Sequence, residues 1–206
     1  MKKDNVWESS LFIATPLNPY SEQDLADIES FIIDNPNGQG LANYLKLYAC
    51  KDELSNQMRT YIVRLKDTKE CVGYFSLKAG LISCNEVEIE QEDDATGATK
   101  IIEEFDTLPG IELANFAVNS FFVNKYEELK GVGFTIFSEL ILPIVYSVSE
   151  YVGVNMIYIF ALDYETLINR YKRYGFSRLD SESENKLHQR VKPSYDDDCI
   201  FMYQLL

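Results

Sequence analysis

The chain has 206 residues, enough for one domain that buries roughly 70% of its unfolded surface. With 33 acids against 19 bases its net charge is −14, which works against a phosphate backbone as partner and favours cationic acceptors such as amines. Hydrophobic content of 46% with 14 Tyr and 12 Phe excludes a disordered chain.

The N-terminal residues lead into no apolar signal core, because the Leu11–Ala14 run is too short. Ser21-Glu22-Gln23-Asp24 followed by Leu25, Ile28, Phe31 and Ile32 predicts a capped amphipathic helix over 21–34, ended by Asn35-Pro36-Asn37-Gly38. A second helix is expected over 40–54, with Leu41, Tyr44, Leu45, Tyr48 and Ala49 on one face. Thr60–Leu65 and Cys71–Cys84 read as strands joined by the polar loop Lys66-Asp67-Thr68-Lys69. Residues 86–106 hold nine acids against Lys100. They form either a solvated excursion, with a short strand where Val87 and Ile89 alternate with glutamates, or an acidic rim for a cationic substrate.

Ile111–Asn119 predicts a strand. Glu128-Leu129-Lys130-Gly131-Val132-Gly133 reads as a glycine turn opening a helix with Phe134, Phe137, Ile141, Ile144, Val145, Val148 and Val152 on its buried stripe. A strand feeding such a turn makes an anion site, since unpaired N–H groups and the positive helix end point outward. Pro143 is expected to kink or divide that helix, and with Glu139 to keep the run below membrane-spanning length. Asn155–Ala161 reads as a strand, and Cys199–Leu206 as the last one. Asp196-Asp197-Asp198 lacks calcium-loop spacing and reads as a turn.

Cys50, Cys71, Cys84 and Cys199 are scattered, so reduced thiols in a cytoplasmic protein are expected. His188, the single histidine, has no companions for a triad or a metal site and reads as a surface residue. Hairpins early and alternating strands and helices late predict a mixed α/β chain with helices on both faces of its sheet.

With Tyr171-Lys172-Arg173-Tyr174-Gly175-Phe176 downstream of the turn, residues 56–180 resemble the GNAT superfamily of N-acetyltransferases. The resemblance implies a central mixed, mostly antiparallel sheet splayed in the middle, within a single 1–206 domain carrying the acidic insertion at about 85–108. It implies acetyl-CoA as co-substrate, its pyrophosphate held at Glu128, Leu129, Lys130, Gly131, Val132 and Gly133. Glu128 stands where the family prefers glutamine or arginine. The acetyl carbonyl would meet backbone N–H near Phe116, Ala117 and Val118. Tyr171 aligns with the tyrosine that assists the departing thiolate. Glu112 is the first candidate for the base, sharing a period-2 face with Ala114 and Phe116, and Asp163 the second.

Leu41, Tyr44-Leu45, Ala49 and Val72–Gly80 are similar to the branch of toxin acetyltransferases that modify aminoacyl-tRNA, although that branch often has arginine where this chain has Asn115. The acidic charge ranks tRNA below a small-molecule or protein amine. The leading expectation is an N-acetyltransferase working by direct attack in a ternary complex. The alternatives are a non-catalytic interaction module and the aminoacyl-tRNA toxin. No metal or membrane is implied, and oligomeric state is open, a homodimer included. Acceptor contacts are expected from 20–40, 85–108 and 181–197.

Overall fold

Near-continuous buried runs rich in aromatic and β-branched residues form the inner strands of a first unit, made of residues up to Ala79 with Ile111–Val152. The second unit comprises Gly80–Gly110 with Gly153–Leu206. The computed structural model describes residues 6–92, 99–129, 131–191, 193 and 198–206, and side chains outside 84–106.

In the first unit β1 (Trp7–Glu8) pairs antiparallel with β2 (Phe12–Pro16), β2 with β3 (Arg59–Leu65), and β3 with β4 (Cys71–Glu92). A bulge at Val63/Arg64 interrupts the last ladder. The end of β5 (Thr99–Val118) lies next in order. The sequence reading missed β1 and β2.

Helices α1 (Glu22–Ser30), α2 (Gln39–Leu47) and α3 (Ala49–Leu54) cover a core of Leu17, Ile28, Phe31, Leu45, Ile62, Tyr74 and Ala117. Burying each large side chain contributes about 1.5–3 kcal/mol. Ser21 caps α1 through its hydroxyl, which accepts from the Asp24 N–H, as the capping pattern predicts. The helix stops at Ser30, short of the predicted end, because Phe31 turns extended (ψ 128°) to reach the core. The expected 40–54 helix is two helices, since Tyr48 at φ −123° breaks the run. Asp24 and Asp27 are buried against Arg64, whose Nη2 lies 2.6 Å from an oxygen of each. A buried cation with two carboxylates needs such pairing.

The helix after the glycine turn is continuous from Val132 to Ser149, with a mean hydropathy of 1.6. It comprises α5 (Val132–Ile136), one π turn (Phe137–Ile141) and α6 (Leu142–Ser149). The expected break at Pro143 does not occur. The π turn shifts the ladder, with Leu142 N–H donating to the Phe137 carbonyl, so the missing proline donor falls where the register has already changed. Length and composition would therefore suit a membrane span, contrary to expectation, but Ile136, Phe137, Leu140, Ile141, Ile144 and Val145 are buried in the unit.

In the second unit β6 (Met156–Ala161) pairs antiparallel with β8 (Ile200–Leu205), and β7 (Ser177–Arg178) with the other edge of β8. The sequence reading did not assign α7 (Glu165–Arg173) or α8 (Ser181–Arg190). In the second, Leu187 joins the core of Ile82, Met156, Tyr158, Phe160 and Phe201. Glu184 is buried, accepting from Phe201 N–H at 2.9 Å and from Arg178 at 3.0 Å. His188 is partly buried with its ring edge-on to Phe160, not a free surface residue.

Strand backbone continues through 84–92 and 99–110, so the acidic stretch extends a hairpin. Its side chains, Cys84 and Asp196-Asp197 lie outside those described. Cys50, Cys71 and Cys199 are in no disulfide with one another. Burial pushes the Cys71 thiol up to about 12.

Candidate functional site

The expected site residues divide between the units. The first unit carries the glycine turn, Glu112 and Phe116–Val118, and the second carries Tyr171.

The chain leaves β5 at Asn119, which is buried and over-committed. Its side-chain oxygen accepts from the Phe121 N–H at 3.2 Å, and its amide donates to the Cys71 carbonyl. Asn119 so caps α4 (Ser120–Lys125) and fixes where the segment sets off. Glu70 then receives both Lys125 and the Tyr126 hydroxyl, and the Lys125 ammonium holds its carboxyl below the usual range. One 3-10 turn, Glu127–Leu129, follows.

Gly131 adopts φ 92°, ψ 7°, a left-handed conformation that strains any residue with a Cβ, and caps the 18-residue helix from Val132. Space is open around it, with no atom within 4 Å of where a Cβ would sit. The N–H groups of Val132 and Gly133 begin the helix, where the first amides have no intrahelical carbonyl to bond. These features suit a phosphate group. Lys130 lies outside the described residues. Glu128 and its neighbour Glu127 are exposed. In water a carboxylate ~6 Å from a unit negative charge repels it by only about 0.7 kcal/mol. The departure at Glu128 is tolerable for that reason.

In β5 the Ala117 side chain is buried with Tyr74, whereas Phe116 and Val118 are partly exposed. Gly73 lies so close that a Cβ there would sit 2.5 Å from the Ala117 carbonyl oxygen. The Asn115 amide lies 3.9 Å from the sulfur of Met58, in the loop before β3, which also receives the hydroxyl of Tyr44 on α2 at 3.3 Å. Thr60 of β3 and Ser76 of β4 share a hydrogen bond at 2.9 Å nearby. Burial pushes the Tyr44 phenol up. Sequence reasoning had no signal for this polar group, because its members come from four elements.

Glu112 is buried, not exposed, with Lys78 3.8 Å away. An incoming ammonium would compete with Lys78 for it. Asp163 is exposed beyond β6.

Tyr171 occupies the last turn of α7. The Phe176 N–H returns to its carbonyl at 3.0 Å around Gly175, which has φ 96°. Its ring meets Tyr174 edge-on at 5.9 Å and Phe176 at 5.6 Å. Burial pushes its phenol up to about 12, with a smaller push from Tyr174 and an opposing pull from Arg170. The hydroxyl therefore holds its proton and acts as a hydrogen-bond donor. Beside Gly175, Gln204 Oε1 is the one buried side-chain N or O atom without a partner among the described residues. Among those residues no group of His, Cys, Asp and Glu could hold a metal.

No family model matches the chain. Many solved structures resemble it, among them the following three. A point mutant of the toxin AtaT, bound to the C-terminus of the antitoxin AtaR and acetyl-CoA, has TM-score 0.57 and 18% identity, covering 93% of this chain and 92% of that one. A point mutant of KacT has TM-score 0.61 and 16% identity, with coverage of 93% and 94%. AtaT complexed with acetyl-methionyl-tRNAfMet has TM-score 0.58 and 18% identity, with coverage of 92% and 93%. The low rank given to nucleic acid on charge is not supported by this last neighbour. By its architecture and its likeness to these proteins, the chain has a mixed α/β, GNAT-like fold.

Proposed function

We propose that the chain is an acetyl-CoA-dependent N-acetyltransferase that moves an acetyl group to a primary amine. The observation that carries this reading is Gly131, left-handed and open, heading an 18-residue helix whose first amides are not used by the helix's own carbonyls. Acetyl-CoA would supply an acyl group already activated as a thioester. The amides of Val132 and Gly133, with Lys130 before them, hold the pyrophosphate. Backbone N–H of the Phe116–Val118 strand polarises the acyl carbonyl, a fixed dipole that needs no reorganisation. Tyr171 donates a hydrogen bond to the sulfur as charge builds on it. Glu112, once drawn from Lys78, takes the ammonium proton of the acceptor.

A second reading concerns the acceptor. AtaT complexed with acetyl-methionyl-tRNAfMet favours the amine of an aminoacyl-tRNA over a free amine or a protein lysine.

Release of free CoA thiol, measured with polyamines, lysine peptides and aminoacyl-tRNA, tests both readings. Turnover with any amine supports the enzyme. Turnover confined to aminoacyl-tRNA, weakening steeply with salt, selects the second reading. At acetyl-CoA 100-fold above its Kd, binding stabilises the fold by about 2.7 kcal/mol. That should raise Tm by roughly 5–10 °C. No shift at millimolar acetyl-CoA would leave a non-catalytic interaction module.

A further inference from the structure

A carboxylate stripped of water attracts an ammonium and strengthens the ammonium's hold on its proton. For a base that must remove that proton, the attraction opposes the step it serves. Glu112 is such a carboxylate, with a side chain only 12% exposed. Lys78, on the neighbouring strand β4, is 37% exposed and brings its Nζ to 3.8 Å from a Glu112 oxygen.

Arg64, in the same unit, holds Asp24 and Asp27 at 2.6 Å with all three side chains at most 10% exposed, a locked structural pairing. The Lys78 contact is of another kind. It is longer than the roughly 2.7–2.9 Å of a charge-assisted hydrogen bond, and a flexible stem carries the ammonium in from solvent. Lys78 can withdraw along that stem without disturbing a buried network. The other titratable groups bordering this end of the strands are engaged elsewhere. Arg59 of β3, in register with Leu77, bonds Glu53 and Asn56, while Tyr44 of α2 and Asp52 of α3 lie beside Thr60 and Ser76. No acid besides Glu112 pairs with Lys78 among the described residues.

We propose that Lys78 tunes the acceptor amine: it balances Glu112 before the acceptor arrives, gives way to the incoming ammonium, and stays near enough to loosen that ammonium's proton. The inference rests on Glu112 being the base of the reaction proposed above. The step affected is one proton passing from the acceptor nitrogen to a Glu112 oxygen, with no bond made to Lys78. A like charge about 6 Å from that nitrogen, partly in solvent, lowers its pKa by roughly one unit. Lys78 thereby offsets the opposite push of Glu112 and acts as a positioning residue for the proton transfer.

Steady-state release of CoA thiol at saturating acetyl-CoA is followed from pH 5.5 to 9.5, with spermidine, a lysine peptide and phenylalanyl-tRNA as acceptors. In Lys78→Met the acidic limb of kcat should move up by about one pH unit, because removing a cation raises the pKa of every group nearby. On that limb kcat should fall roughly tenfold while the amine KM falls about threefold, as when a ground-state competitor is removed. Lys78→Arg, which keeps the charge, should stay within about 0.3 pH unit of the parent. Lys66→Met removes an equal charge from the pair with Glu8 elsewhere and should match the parent. Lys78→Gln repeats the test with a polar side chain beside Glu112, so the result does not hang on methionine being tolerated there. A merely structural Lys78 would lower Tm and move neither the limb nor KM. An unmoved limb, or Lys78→Arg behaving as Lys78→Met, overturns the inference while thiol release by the parent keeps the enzymatic reading. No release by the parent with any of the three acceptors overturns both.

Discussion

Tyr171→Phe isolates one hydroxyl whose surroundings define what it does. The ring is held by Tyr174 and Phe176, and burial pushes its phenol up to about 12. A thiol titrates near 8.5, so full proton transfer to a free thiolate is uphill by about 3.5 pH units, or roughly 5 kcal/mol. The hydroxyl therefore stabilises the sulfur as a donor and keeps its proton. A hydrogen bond to a charged acceptor contributes about 1.5–3 kcal/mol, which predicts a kcat reduced by roughly 10–150-fold. Acetyl-CoA affinity should stay within about twofold, because the contact strengthens only as charge develops. The assay is steady-state release of CoA thiol, using the best amine from the acceptor panel, from pH 7 to 11. The parent profile should show no fall near pH 10 that Tyr171→Phe removes. Unchanged turnover in Tyr171→Phe, or a descending limb at pH 10 that disappears with the hydroxyl, would refute the reasoning.

Gly131→Ala should destabilise by about 1–2 kcal/mol through φ alone, since its Cβ meets nothing, and should weaken acetyl-CoA binding by roughly tenfold; Gly131→Asn, which tolerates the left-handed region, should retain more of both. Thermal melts with calorimetric titration check this pair. Gly73→Ala should cost about 1–3 kcal/mol, lowering Tm by roughly 3–10 °C, because its Cβ meets the Ala117 carbonyl oxygen; a melt within 1 °C of the parent would contradict that, on a scale of ~2–4 °C per kcal/mol. Cys71 and Tyr171 have folded-state values raised to about 12, so the folded state keeps protons that the unfolded chain releases first. Their stabilisation is complete below about pH 9 and is lost as pH rises toward 12, at up to ~1.4 kcal/mol per unit for each group. Urea unfolding at pH 7, 9 and 10.5 should show it, and Cys71→Ala should flatten the slope above pH 9.

The strands around Thr60–Leu65 and Met156–Ala161, the Ser21 cap and the turn at Gly131 were legible because each rests on local chemistry. Less visible were elements whose cause lies far along the chain. Nothing local in the capped amphipathic helix marks Asp24 and Asp27 as buried; only Arg64, some 40 residues later, makes their burial tolerable. Helix α8 carries little apolar periodicity, and its anchor is Glu184 reaching the Phe201 N–H. Pro143 looked like a breaker because a π turn ahead of it leaves no mark in composition. Of the candidate site, the residue types were readable. The burial of Glu112 beside Lys78 was not, since a glutamate at a strand position usually faces water.

The amide resonances of Val132 and Gly133, followed by two-dimensional NMR while acetyl-CoA is added, test the central claim most directly. The account predicts large downfield shifts at both amides on saturation, as they donate to the pyrophosphate, and loss of those shifts in Gly131→Ala. Saturable binding of acetyl-CoA that leaves both amides unmoved would contradict it.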